Sequence, residues 1–110
     1  MKYIYDGEFY KIVRITGPKH NMLSLCFSEN QKKIEITDLN TVDNATNIFS
    51  SEVMKQVLFG VSQINKELFT KYNVTKIQFV GSDSPSNTIY TELSKEIIRR
   101  LHTHGKFTRV

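Results

Sequence analysis

The 110-residue chain predicts an α+β fold: an antiparallel β-meander followed by α-β-α-β, with two helices packed on one sheet. Three features carry that prediction. Short runs rich in β-branched and aromatic residues fill the N-terminal third, two later stretches repeat apolar residues every three or four positions, and one more apolar run separates those stretches. A chain of this length has room for one core, so residues 1–110 are read as a single domain.

Residues 8–16 are predicted as the first strand, closed by Gly17-Pro18. After a turn at Lys19-His20-Asn21, residues 22–28 put Leu23, Leu25 and Phe27 on one face and Ser24, Cys26 and Ser28 on the other. Polar residues 29–32 turn the chain, and residues 33–37 alternate again, completing three short-linked antiparallel strands. Residues 38–50 have no sustained period and read as a connection.

Ser50 or Ser51 caps a helix over about 51–72, with Glu52 in its first turn. Its buried row is Val53, Val57, Val61, Ile64 and Leu68, and Met54, Leu58 and Phe69 are expected to widen that stripe. Gly60 inside the helix suggests the close approach of a neighbouring element. Residues 74–80 supply a strand stopped by Gly81, and Ser82-Asp83-Ser84-Pro85 starts a second helix with proline in its first turn. That helix carries Ile89, Leu93, Ile97 and Leu101 on its apolar side, with Thr91, Glu92, Lys95, Glu96, Arg99 and Arg100 opposite. Gly105 ends it, and residues 106–110 alternate as a terminal strand.

Composition narrows the function classes. No apolar stretch reaches the length of a membrane span, and the charged residue Asp6 interrupts the N-terminal run before it resembles a signal segment, so a cytoplasmic protein without membrane association is expected. The single cysteine, Cys26, fits a reducing compartment and excludes a cysteine-based metal cluster. No metal site and no cofactor are expected. The net charge is +4, yet residues 1–52 hold six Lys/Arg against seven Asp/Glu, while residues 53–110 hold nine against four. The excess gathers in Lys95, Arg99, Arg100, Lys106 and Arg109, a basic patch that would attract a nucleic acid, or equally a helix end whose cations complement its dipole.

The strand-loop-helix at residues 79–87 gathers Gly81, Ser82, Ser84, Ser86 and Asn87, an anion-binding candidate at a helix start. It lacks the lysine of a P-loop and the glycines of a dinucleotide fingerprint, and an ordinary capped βα turn would use the same residues. Asp83 with the neighbouring serines has no signalled base, G-x-S-x-G is absent, and no catalytic residue is assigned. His102 and His104 have no third ligand nearby, His20 sits in a predicted turn, and the carboxylates Asp6, Glu8, Asp38 and Asp43 show no acid-base spacing. Tyr3, Tyr5, Phe9 and Tyr10 interleave with Lys2, Lys11 and Arg14, which suits core or interface filling and, alternatively, base stacking.

Two resemblances attach to the second half. The segment Ile48–Leu101, with Lys76-Ile77-Gln78-Phe79, its small-residue loop and Ser86-Asn87-Thr88-Ile89-Tyr90-Thr91-Glu92-Leu93, resembles small uncharacterised bacteriophage proteins. The same half is similar to the C-terminal half of the N-acetyltransferase superfamily, which implies that Asn87 and Tyr90 occupy its Asn and Tyr positions, with Tyr90 as proton donor to the coenzyme A thiolate. Where that superfamily opens its central helix with a basic, glycine-rich loop, this chain reads Asn47-Ile48-Phe49-Ser50-Ser51-Glu52. The leading expectation is therefore a non-enzymatic binding protein, a phage-type accessory or inhibitor that binds a host macromolecule, a host protein ahead of a nucleic acid, with homodimerisation through Tyr and Phe open. A reduced acetyltransferase-like enzyme and a nucleic-acid binder are the alternatives.

Overall fold

A computed structural model of the chain describes residues 2–16, 19–28, 33–39, 50–80 and 88–110. The elements run β1 (Lys2–Tyr5), β2 (Tyr10–Thr16), β3 (Lys19–Phe27), β4 (Glu35–Asp38), α1 (Ser50–Leu68), β5 (Val74–Phe79), α2 (Ile89–Thr103) and β6 (Thr108–Arg109). The six strands form one sheet in the order β4-β5-β3-β2-β1-β6, with α1 and α2 packed on it, so the predicted α+β class holds.

The meander is present with different members. β1, β2 and β3 pair antiparallel in sequence, and β1 was not anticipated. β4, expected beside β3, instead pairs parallel with β5, which has inserted between them and runs antiparallel to β3. Burial explains the exchange: β5 hides Val74, Thr75, Ile77 and Phe79, whereas among the four residues of β4 only Asp38 is buried. The strand with more apolar surface to hide takes the interior position and the shorter, more polar one takes the edge. His20, expected in a turn, lies in β3 opposite Ile15, since the Thr16–Lys19 pair leaves only positions 17 and 18 to connect the strands.

Register assigns the two faces of the sheet. Ile12 opposes Leu23, Leu23 opposes Phe79, and Leu25 opposes Ile77, so these side chains form one row beneath the helices. They join Val53, Val57 and Ile64 of α1 and Tyr90, Leu93, Ile97 and Ile98 of α2 in a single buried cluster. Each such aliphatic side chain contributes about 1.5–3 kcal/mol when fully buried, far more than any exposed ion pair of the molecule can supply. The alternate row, including Lys11, Ser24, Lys76 and Gln78, lies on the opposite face, with Cys26 on this more polar side as its period implied.

The helices meet at Gly60. A Cβ there would lie 2.6 Å from the carbonyl oxygen of Thr91 and would also collide with the Ser94 hydroxyl, so α2 approaches α1 at a distance only glycine permits. Thr91, placed on the solvent side of α2 by its sequence pattern, is buried in this seam and its hydroxyl donates to the Gln56 carbonyl at 2.9 Å. α2 runs from Ile89, and its N-cap Thr88 makes no side-chain cap; the helix start expected at Ser82-Asp83-Ser84-Pro85 lies outside the described residues. Gln56 substitutes from α1, its Oε1 accepting the Tyr90 N–H at 3.0 Å, so an orphan donor of one helix is satisfied by its neighbour.

Candidate functional site

The anion-binding candidate Gly81, Ser82, Ser84, Ser86 and Asn87 lies outside the described residues. Tyr90, its partner in the acetyltransferase-like alternative, is completely buried, with its ring edge-on to Phe79 at 6.1 Å between centroids. Packing explains its position: Tyr90 closes the core against Phe79 of β5. His102 and His104 are exposed, and the ring Nδ1 of His104 accepts the Lys106 N–H at 3.1 Å. Among the described residues no cluster of three or more His, Cys, Asp or Glu side chains is arranged to hold a metal ion. Among them, too, no helix is long and apolar enough to cross a membrane.

The basic patch divides. Arg99 is tied to Glu96 at 3.1 Å and reaches Glu67 at 3.9 Å, which neutralises it against two carboxylates. Lys95 lies five positions before Arg100, so about 140° separates them around the helix. Arg100, Lys106 and Arg109 instead collect at the end of the sheet where β6 runs parallel to β1, and the fold brings Lys2 to the same place. Arg100 lies over the Tyr3 ring, 3.8 Å from its centroid, while its Nε donates to the Lys106 carbonyl at 2.7 Å. Arg109 faces Tyr5 at 5.3 Å. Lys2, Tyr3, Arg100, Lys106 and Thr108 line a groove of about 420 Å³. No Asp or Glu side chain among the described residues lines it.

The N-terminal aromatics fill the fringe of the core. Tyr5 stacks on Tyr10 at 4.4 Å, Tyr10 meets Phe27 and Phe107, and Phe27 meets Tyr72 edge-on at 5.5 Å. Burial, and after it the neighbouring Tyr5, raises the Tyr10 hydroxyl above the usual phenol pKa.

A second surface was not anticipated. α1 stops at Leu68, not near residue 72, because Phe69 adopts a left-handed conformation with φ 57°. Phe69, expected in the buried stripe, is 95% exposed, and Leu58, expected beside it, is also exposed. The position after a helix normally takes glycine when it turns left-handed, since Cβ there costs about 1–2 kcal/mol. The turn is nevertheless fixed. Thr70 N–H donates to the Asn65 carbonyl at 2.9 Å, in the pattern of a Schellman ending. The Asn65 side chain accepts from the Thr70 hydroxyl at 2.8 Å and the Tyr72 N–H at 3.0 Å, and donates to the Tyr72 carbonyl at 2.9 Å. Asn73 then pins the segment to β3, its side chain donating to the Ser28 carbonyl at 2.9 Å. Beside this rigid corner Phe27, Thr70, Lys71 and Tyr72 line a cleft of about 450 Å³. Helical geometry held a signal for Phe69: at 100° per residue it falls about 120° from the centre of the Val53–Leu68 row, beyond the edge of an apolar stripe.

On the sheet face away from the helices, Lys76 and Glu8 form an ion pair at 2.7 Å. That hydrogen-bonded partner raises the Lys76 pKa, and both side chains remain substantially exposed, so the pair contributes little to stability. Comparison with known proteins finds no matching family model, no matching curated protein and no matching solved structure.

Proposed function

We propose that this chain is a non-enzymatic binding protein that docks a host protein, in the manner of a small bacteriophage accessory or inhibitor protein. The observation carrying this reading is Phe69, an aromatic side chain 95% exposed on a backbone position with φ 57°. Phe69 gains almost nothing from burial in its own fold and sits where its backbone is strained. Selection for stability alone would not favour it. Its turn is held by the Asn65 and Asn73 hydrogen bonds, so little conformational freedom remains to be lost when a partner covers it. An exposed aromatic ring held in a hydrogen-bonded turn, next in the chain to a cleft lined by Thr70, Lys71 and the Phe27 and Tyr72 rings, has the makeup of an interface hot spot, and the fitting partner is a protein surface with a pocket for a phenyl ring.

The test is affinity capture from host lysate with the wild-type chain and Phe69→Ser, followed by titration of the captured protein. A partner retained by the wild type and weakened at least tenfold by Phe69→Ser, with unchanged circular dichroism, supports the reading. Equal retention by both overturns it. Thermal shift with coenzyme A separates the acetyltransferase-like alternative: this reading expects no stabilisation, and a rise in melting temperature abolished by Tyr90→Phe would favour the enzyme.

A further inference from the structure

The cationic groove at the β1–β6 end is a separate surface. We propose that it binds the phosphate backbone of a single-stranded nucleic acid, without reading its bases.

Charge complementarity names the occupant. Three cations, Lys2, Arg100 and Lys106, line the groove, Arg109 stands on β6 beside it, and no carboxylate side chain among the described residues lines it. Arg100 is already oriented by the Tyr3 ring and the Lys106 carbonyl, which leaves its terminal amino groups for a two-point contact with phosphate. Base stacking is not offered there: Arg100 covers Tyr3, Phe107 meets the same ring edge-on at 6.0 Å, and Tyr5 is stacked on Tyr10. The contacts are therefore those of backbone electrostatics. An acidic peptide fits less well, because β6 has two residues and gives an added strand too few main-chain partners. A concave groove also suits one strand better than the convex backbone of a duplex.

Fluorescence anisotropy with a labelled oligothymidylate of about 20 nucleotides tests the proposal. With three or four phosphate contacts, affinity should fall by about 20- to 50-fold between 50 and 200 mM NaCl. Lys2→Gln/Lys106→Gln, both at exposed positions, should weaken binding at least tenfold and make it less sensitive to salt, while Lys55→Gln on α1 should leave both unchanged. Arg100→Gln should weaken binding similarly, with melting temperature recorded alongside because Arg100 also braces Tyr3. Absence of binding at 50 mM NaCl, equal binding by the double variant, or tighter binding of polyglutamate under the same conditions would each overturn the proposal. None of these results depends on Phe69.

Discussion

Gly60 and Phe69 belong to the same stretch of chain, one inside α1 and the other immediately after it, and each occupies a place that helix chemistry would give to the other type. Glycine within a helix costs about 1 kcal/mol relative to alanine, and a residue with Cβ in a left-handed turn costs a similar amount. The first cost is repaid within the fold: without a side chain at Gly60, α2 settles against α1 and the Thr91 hydroxyl reaches the Gln56 carbonyl. The second closes the Thr70–Asn65 hydrogen bond, but glycine would close it without the cost, and the Phe69 side chain adds no burial because it is almost entirely in solvent. Local strain at Gly60 improves packing and belongs to the fold, whereas the strain at Phe69 brings its ring no burial.

The contrast can be broken at the seam first. Gln56→Leu removes the buried hydrogen bond from the Tyr90 N–H to the Gln56 side chain and should destabilise the protein by about 1–3 kcal/mol in a urea titration. Gly60→Ala gains about 1 kcal/mol of helix propensity but forces a methyl group against the Thr91 backbone, an overpacking cost of about 1–3 kcal/mol. Up to about 2 kcal/mol of net loss is expected by thermal or urea unfolding, and a stabilised variant would show that the seam is not tight.

At the corner the sign should reverse. Phe69→Gly relieves about 1–2 kcal/mol of left-handed strain, offset by about 0.4–1 kcal/mol of added unfolded-state entropy, and loses no burial. Stability should stay level or rise by about 1 kcal/mol; a clear loss would mean that Phe69 is structural.

The smallest effect lies in the β1–β2 turn. The Asp6 carboxylate accepts the Phe9 N–H at 2.7 Å and the Glu8 N–H at 2.9 Å, and these two contacts hold its pKa below the usual carboxylate value. A group whose folded pKa is depressed stabilises the fold above its unfolded pKa, near 3.8, and that contribution is lost as the pH falls through the folded value. Asp6→Asn should therefore lower stability slightly at pH 7, and the gap between the two proteins in urea titrations should close as the pH falls below about 4, where the wild-type carboxylate also loses its charge.

Periodicity made α1, α2, β2, β3 and β5 legible, because burial of one face imposes a repeat of two or of about 3.6 on the sequence. Gly60 was legible as a close-approach site for the same reason: glycine in a helix interior needs a neighbour to explain it. β1 was missed although Lys2-Tyr3-Ile4-Tyr5 alternates and Asp6-Gly7 marks a hairpin turn, with Gly7 at φ 97°. The basic patch was half legible. Its cations could be counted, but Arg99 proved to be bound to Glu96 and Glu67, and Lys2 arrived from the far end of the chain. Phe69 falls outside the apolar stripe because α1 ends before it, at a turn set by the Asn65 hydrogen bonds to Thr70 and Tyr72, and such side-chain contacts leave no periodic mark on the sequence.

By itself the sequence determined the two amphipathic helices, most of the strands and the basic bias of the second half, since these follow from side-chain identity and spacing along one chain. Tertiary structure alone decided that β5 enters between β3 and β4, that Gln56 caps α2, that Lys2 joins Arg100 and Lys106, and that Phe69 faces solvent. Each of these depends on which segments compete for burial and which distant groups meet, and that competition is resolved only when the whole chain packs.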